Sequence, residues 1–197
     1  MKINQPIHIV CVLDESGSMS GSQEQVISSF NAIIAKHRET FGNEAYVSLY
    51  KFGHAGVTTV MLKQHIAEVK EMTAADYVPA GGTPLNDAVG KAVEDHRGLE
   101  RVFFVVDTDG YENTSREYTA ANVRALVEQQ KQAGWDFTFV GAGLTQETVQ
   151  TMSASFGIAA SDTMAFAKSA VGYASRSAAI NGKLEAYATS FMSDNNA

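Results

Sequence analysis

Asp14, Ser16 and Ser18, in the run VCVLDESGSMSGS, set one carboxylate and two hydroxyls on alternate residues at the point where an apolar stretch gives out. Oxygen donors of this kind suit a hard divalent cation such as magnesium, which favours octahedral oxygen coordination, whereas zinc favours nitrogen or sulfur. Gly17 and Gly21 permit a tight turn in which the three side chains can converge. The same residues also read as an ordinary Ser/Gly-rich turn in which Ser18, Ser20 or Ser22 caps a following helix.

Two further segments carry related chemistry. AGGTPLNDAV offers Thr83 after a glycine pair and ahead of Pro84, and RVFFVVDTDGYEN ends an apolar run in Asp107, Thr108, Asp109 and Gly110. Thr83 can add a third hydroxyl and Asp109 a second carboxylate; taken singly, a helix cap and turn-forming carboxylates explain them. Each oxygen-rich turn stands where a strand or a glycine pair hands over to a helix. In an open parallel α/β sheet such turns share one edge, and ligands bind where the strand order reverses.

Asp14-x-Ser16-x-Ser18, then Gly82-Thr83-Pro84-Leu85, then Thr108-Asp109-Gly110 together resemble the complete metal-ion-dependent adhesion site of a von Willebrand factor type A domain, over about residues 5–165. The resemblance implies that Asp14, Ser16, Ser18, Thr83 and Asp109 bind a divalent cation, some through water. Mg2+ is the expected ion, with Mn2+ or Ca2+ as alternatives. It further implies a protein-binding module whose ion is completed by an Asp or Glu carboxylate of a partner, such as an AAA-type ATPase or a larger assembly. Asp107 has no ligand role in this pattern and reads as a supporting or strand-end carboxylate. Met19, Asn86, Tyr111, Glu112 and Asn113 are expected to form an exposed rim around the ion.

The elements that must position these residues follow from periodicity. Strands are expected at 7–13, 45–52, 57–62, 101–106 and 136–141, with a short last strand within 158–166. The second and third are close enough to form an antiparallel hairpin at the sheet edge. Helices are expected at 23–39, 84–97, 117–132, 144–156 and 168–192. The first packs through Val26, Ile27, Phe30, Ile33 and Ile34, and the last through Val171, Ala174, Ala178, Leu184, Tyr187, Ala188 and Phe191. This alternation predicts a three-layer, doubly wound α/β fold: a mostly parallel sheet with one antiparallel edge strand and helices on both faces. One domain spanning 1–197 accounts for the whole chain.

Composition narrows the function classes. Twenty-two acidic against 15 basic side chains give a net charge of −7 without a basic patch, which argues against nucleic acid as a partner. The only cysteine, Cys11, falls in the first apolar strand, so no internal disulfide forms. MKINQPIHIV lacks an apolar signal region and no stretch approaches the ~20 apolar residues of a membrane span, so a cytoplasmic, membrane-free protein is expected.

An enzyme reading rests on VFFVVDTDG alone, which fits the strand and Asp-x-Asp-Gly of haloacid dehalogenase-like magnesium-dependent phosphatases, with Asp107 as nucleophile and Asp109 as general acid. That motif normally opens its domain, whereas here half the chain precedes it. No paired aspartates follow, and Lys131, Lys168 and Lys183 are the lysines placed after it. The five histidines show no metal-ligand spacing, and there is no nucleophile elbow or phosphate-binding loop. The expectation is therefore a non-catalytic binding module, with the phosphatase as the alternative.

Overall fold

The computed structural model describes residues 5–42 and 44–193. Six strands form one sheet in the order β3-β2-β1-β4-β5-β6: β1 (Ile7–Glu15), β2 (Ala45–Gly53), β3 (Gly56–His65), β4 (Val102–Thr108), β5 (Asp136–Ala142) and β6 (Thr163–Phe166). Every neighbouring pair is parallel except β2 and β3, the hairpin at one edge. The expected doubly wound sheet with one antiparallel edge strand is the observed one.

Five helices cover the sheet: α1 (Gln23–Phe41), α2 (Leu85–Glu94), α3 (Ala120–Gln132), α4 (Gln146–Ser155) and α5 (Ala170–Ser193). Ile9, Cys11 and Leu13 of β1 pack with α1 and α5, while Val10 and Val12 pack with α2, α3 and α4 on the other face. Burial on both faces is why β1 and β4 read as continuous apolar runs and not as alternating ones. Burial also pushes the Cys11 thiol up to about 12, so it stays protonated and inert. Among the described residues no helix is long and apolar enough to cross a membrane.

The topology sets the site. From β1 the chain winds outward through β2 and β3, then returns to place β4 on the opposite side of β1, with Leu13 paired to Asp107. The strand order reverses between β1 and β4, so the carboxyl ends of these two strands open into one crevice.

Some boundaries differ from those expected, for identifiable reasons. α3 starts at Ala120 rather than 117, because Thr119 and Asn122 form a capping box and the backbone N–H groups of Arg116, Glu117 and Tyr118 are committed to the Asp87 carboxylate. The inward face of α5 is Tyr173, Arg176, Ser177, Ile180, Leu184, Tyr187 and Ala188. Val171, Ala174 and Ala178 of the expected face are exposed. Apolarity alone misplaced the first half of that stripe because the true one carries a buried arginine and a serine.

Candidate metal centre

The three oxygen-rich turns are tied together pairwise. Gly17 N–H donates to the Gly81 carbonyl at 3.0 Å and Ala80 N–H to the Glu15 carbonyl at 2.8 Å, joining the first turn to the second. Thr83 N–H donates to Asn113 Oδ1 at 2.8 Å, joining the second to the third. The Thr108 hydroxyl donates to Asp14 Oδ2 and the Ser18 hydroxyl to Asp109 Oδ1, each at 2.6 Å, closing the third onto the first. Gly81 has φ +77° and a Cβ there would lie 2.4 Å from the His54 Cα, so the second turn packs against the β2–β3 turn only because Gly81 carries no side chain.

The donors predicted for a cation come together. The Ser16 and Ser18 hydroxyls are 3.0 Å apart. A Cβ built on Gly110 would lie 3.8 Å from both Ser18 Oγ and Thr83 Oγ1, which puts the third hydroxyl in the same cleft. Asp14 is 1% exposed, and its Oδ1 accepts the Ser16 N–H at 2.7 Å. Burial pushes the Asp14 carboxyl above its ordinary range, with the Asp109 charge adding and the hydrogen bonds from Ser16 and Thr108 opposing.

The charges around the crevice are unevenly matched. The Lys168 ammonium pairs with Asp109 Oδ2 and also donates to the Ser18 carbonyl at 3.0 Å. Asp107 turns the other way, onto the Arg176 guanidinium of α5 at 2.5 Å, with both side chains 2% exposed. Even so, burial outweighs the arginine and pushes the Asp107 carboxyl up to about 6. Asp14 alone of the three has no cationic side chain against it among the described residues. Two carboxylates and three hydroxyls in one crevice, one carboxylate buried without a counter-charge, fit a hard divalent cation. Among the described residues there is no group of three or more His, Cys, Asp or Glu arranged for a metal, so the crevice would hold an ion through its hydroxyls as much as its carboxylates.

Several expectations need correction. Met19 is 1% exposed and belongs to the core, and Asn86 is buried too, so neither forms the rim. The Glu112 carboxylate is committed to the backbone N–H groups of Asn86, Thr114 and Ser115 and holds its own loop. Tyr111 and Asn113 are exposed as expected, although Asn113 also fixes Thr83. Ser22 stands at the N-cap of α1 without a side-chain cap bond, and the Ser18 hydroxyl is spent on Asp109, so capping does not explain that serine cluster. Asp107 is 1% exposed and paired with Arg176.

Sequence reasoning missed the parts played by Thr108 and Arg176 and weighed Lys168 only as a phosphatase residue. A signal existed for Arg176: the one charge in the first half of α5, three residues after Tyr173 on the same face, calls for a buried partner.

The sequence model of the von Willebrand factor type A domain matches residues 8–172. No curated protein matches the chain. Among solved structures, the pilus adhesin SpaC of Lactobacillus rhamnosus GG in its open conformation is similar with TM-score 0.72 and 16% identity, covering 97% of this chain and 31% of SpaC. This chain therefore spans less than a third of that adhesin. The vWF domain of the type V pili tip protein Mfa5 from Porphyromonas gingivalis is similar with TM-score 0.70 and 10% identity, covering 93% of this chain and 97% of that domain. The conserved hypothetical protein BatB from Bacteroides thetaiotaomicron gives TM-score 0.59 and 14% identity, covering 91% and 98%. At such identities these likenesses establish the fold.

Proposed function

The chain belongs to the von Willebrand factor type A family, and from that premise we propose that it is a metal-dependent protein-binding module. Asp14, Ser16, Ser18, Thr83 and Asp109 are its cation-holding residues, with Mg2+ as the ion and Mn2+ or Ca2+ as substitutes. The bound cation supplies an electrophilic centre with an exchangeable position for an Asp or Glu carboxylate of a partner protein. The observation that carries this reading is Asp14: buried, hydrogen-bonded through both oxygens, and without a cationic partner among the described residues.

The other residues support the same role. Three neutral hydroxyls beside two carboxylates leave the crevice short of formal negative charge, which favours an incoming acidic side chain. Thr108 and the Ser16 N–H hold the Asp14 carboxylate in one orientation, so little ordering is left to be done on binding. Von Willebrand factor type A domains often mediate protein–protein contacts. SpaC, a pilus adhesin, carries the same fold, in line with attachment rather than catalysis. The partner we favour belongs to a larger assembly or is an AAA-type ATPase, met in the cytoplasm.

Titrating Mg2+ against an EDTA control tests the site. At metal well above Kd the melting temperature should rise by several degrees, about 2–4 °C for each kcal/mol of linkage in a chain of this size. Asp14→Ala should abolish the rise. Affinity capture of partners should fail in EDTA and with Thr83→Ala; capture indifferent to both would sink the metal-dependent reading. A generic phosphatase substrate should show no turnover that Asp107→Asn removes.

A further inference from the structure

Asp109 already has a cation. Lys168 lies in the connector between β6 and α5, 59 residues away in sequence, and its ammonium meets Asp109 Oδ2 and the Ser18 carbonyl at 3.0 Å. The Asp109 side chain is wholly screened from solvent while that of Lys168 is 32% exposed, so the pair is reached from outside through the lysine. The stem has a prepared path. It crosses Gly143, where a Cβ would lie 3.2 Å from the Lys168 Cγ and 3.3 Å from its Cδ.

An ammonium and a divalent ion repel at contact distance, so each weakens the hold of the other on one carboxylate. We propose that Lys168 is a tethered cation that stands on Asp109 in place of the divalent ion and must swing out before the ion can bind. Its departure frees the 167–169 connector and the first turn of α5, which Ser169 starts by accepting the Tyr173 N–H at 2.9 Å and the Gly172 N–H at 3.1 Å. Arg176, two turns on, stays on Asp107 and confines the release to that end of the helix. The proposal rests on the metal reading above and adds an internal competitor that sets the ion concentration at which the module switches on.

Calorimetric titration of MgCl2 and MnCl2 into the full chain tests it, with Lys168→Gln, Lys168→Met and Lys183→Gln alongside. Lys183 lies on α5 paired with Asp162 at 3.1 Å and controls for the bare loss of one charge. Both Lys168 variants should bind metal roughly tenfold more tightly, and Lys183→Gln within about twofold of the parent. Hydrogen exchange supplies a second readout: metal should speed amide exchange at 167–173 in the parent chain, whereas in Lys168→Gln that segment should exchange fast with or without metal. Unchanged affinity in both Lys168 variants, or tight binding that leaves exchange at 167–173 unaltered, overturns the proposal and leaves the metal reading intact. No binding even in Lys168→Gln overturns both.

Discussion

Gly81 holds the second oxygen-bearing turn against the first with a backbone that an L side chain rarely adopts, and the space its Cβ would need is taken by the His54 backbone. Gly81→Ala therefore has to strain φ and push two loops apart. We expect a loss of about 2 kcal/mol or more in unfolding free energy, read from denaturant midpoints, together with weaker Mg2+ binding because the residue-81 carbonyl that accepts the Gly17 N–H is displaced. A fall in stability with unaltered metal affinity would mean that the Gly81 tie does not set the spacing of the donors. Single side chains elsewhere in the crevice have graded duties. Asp14 and Asp109 bring charge, the hydroxyls bring neutral oxygens, and Thr108 and Asn113 hold their neighbours in place.

α5 is fastened to the sheet by the Asp107–Arg176 pair, buried on both sides, with Ser29 of α1 accepting a second guanidinium N–H at 2.6 Å. Removing one member strands the other. Arg176→Met is expected to cost about 3–5 kcal/mol, and pairing it with Asp107→Asn should recover a large part, because the penalty belongs to the uncompensated carboxylate and not to the lost attraction. A double variant no more stable than Arg176→Met would place the cost in lost packing instead. This fastening also marks what could be read from the chain and what could not. The strands, the antiparallel hairpin edge and the oxygen-rich turns are local matters: an apolar run, a turn chemistry, a position at the carboxyl end of a strand. Arg176 reaching Asp107 and Lys168 reaching Asp109 are contacts between distant stretches. They depend on where α5 lands, and its first-half register was obscured by the polar residues in its buried stripe. Met19 went astray likewise: its turn looked like surface, but the short helical turn Gly17–Met19 drives it into the core.

Across the whole molecule, stability should respond to acid through imidazoles set far from the crevice. Burial pushes His37, on α1, down to about 4 from an ordinary 6.5, with Asn181 and Glu185 pulling the other way. The unfolded chain therefore binds a proton there across that window and the folded chain does not, so this contribution is lost as pH falls from about 6.5 toward 4. Buried carboxyls such as Asp107, raised to about 6, act in the opposite sense, losing stability as pH rises from 3.8 to 6. Comparing variants separates the two: His37→Gln should lose on the order of 2 kcal/mol less than the parent between pH 7 and pH 5, by chemical denaturation. Equal losses would show that His37 takes up its proton as readily in the fold as in the unfolded chain. Finally, the sealed Cys11 thiol leaves the surface silent toward maleimides at neutral pH, since it is the sole thiol in the chain and its thiolate is suppressed. The native chain should stay unlabelled until denatured. A cysteine introduced on the exposed Tyr111 loop would then be the one addressable handle, and a dye placed there could report partner capture without any background to subtract.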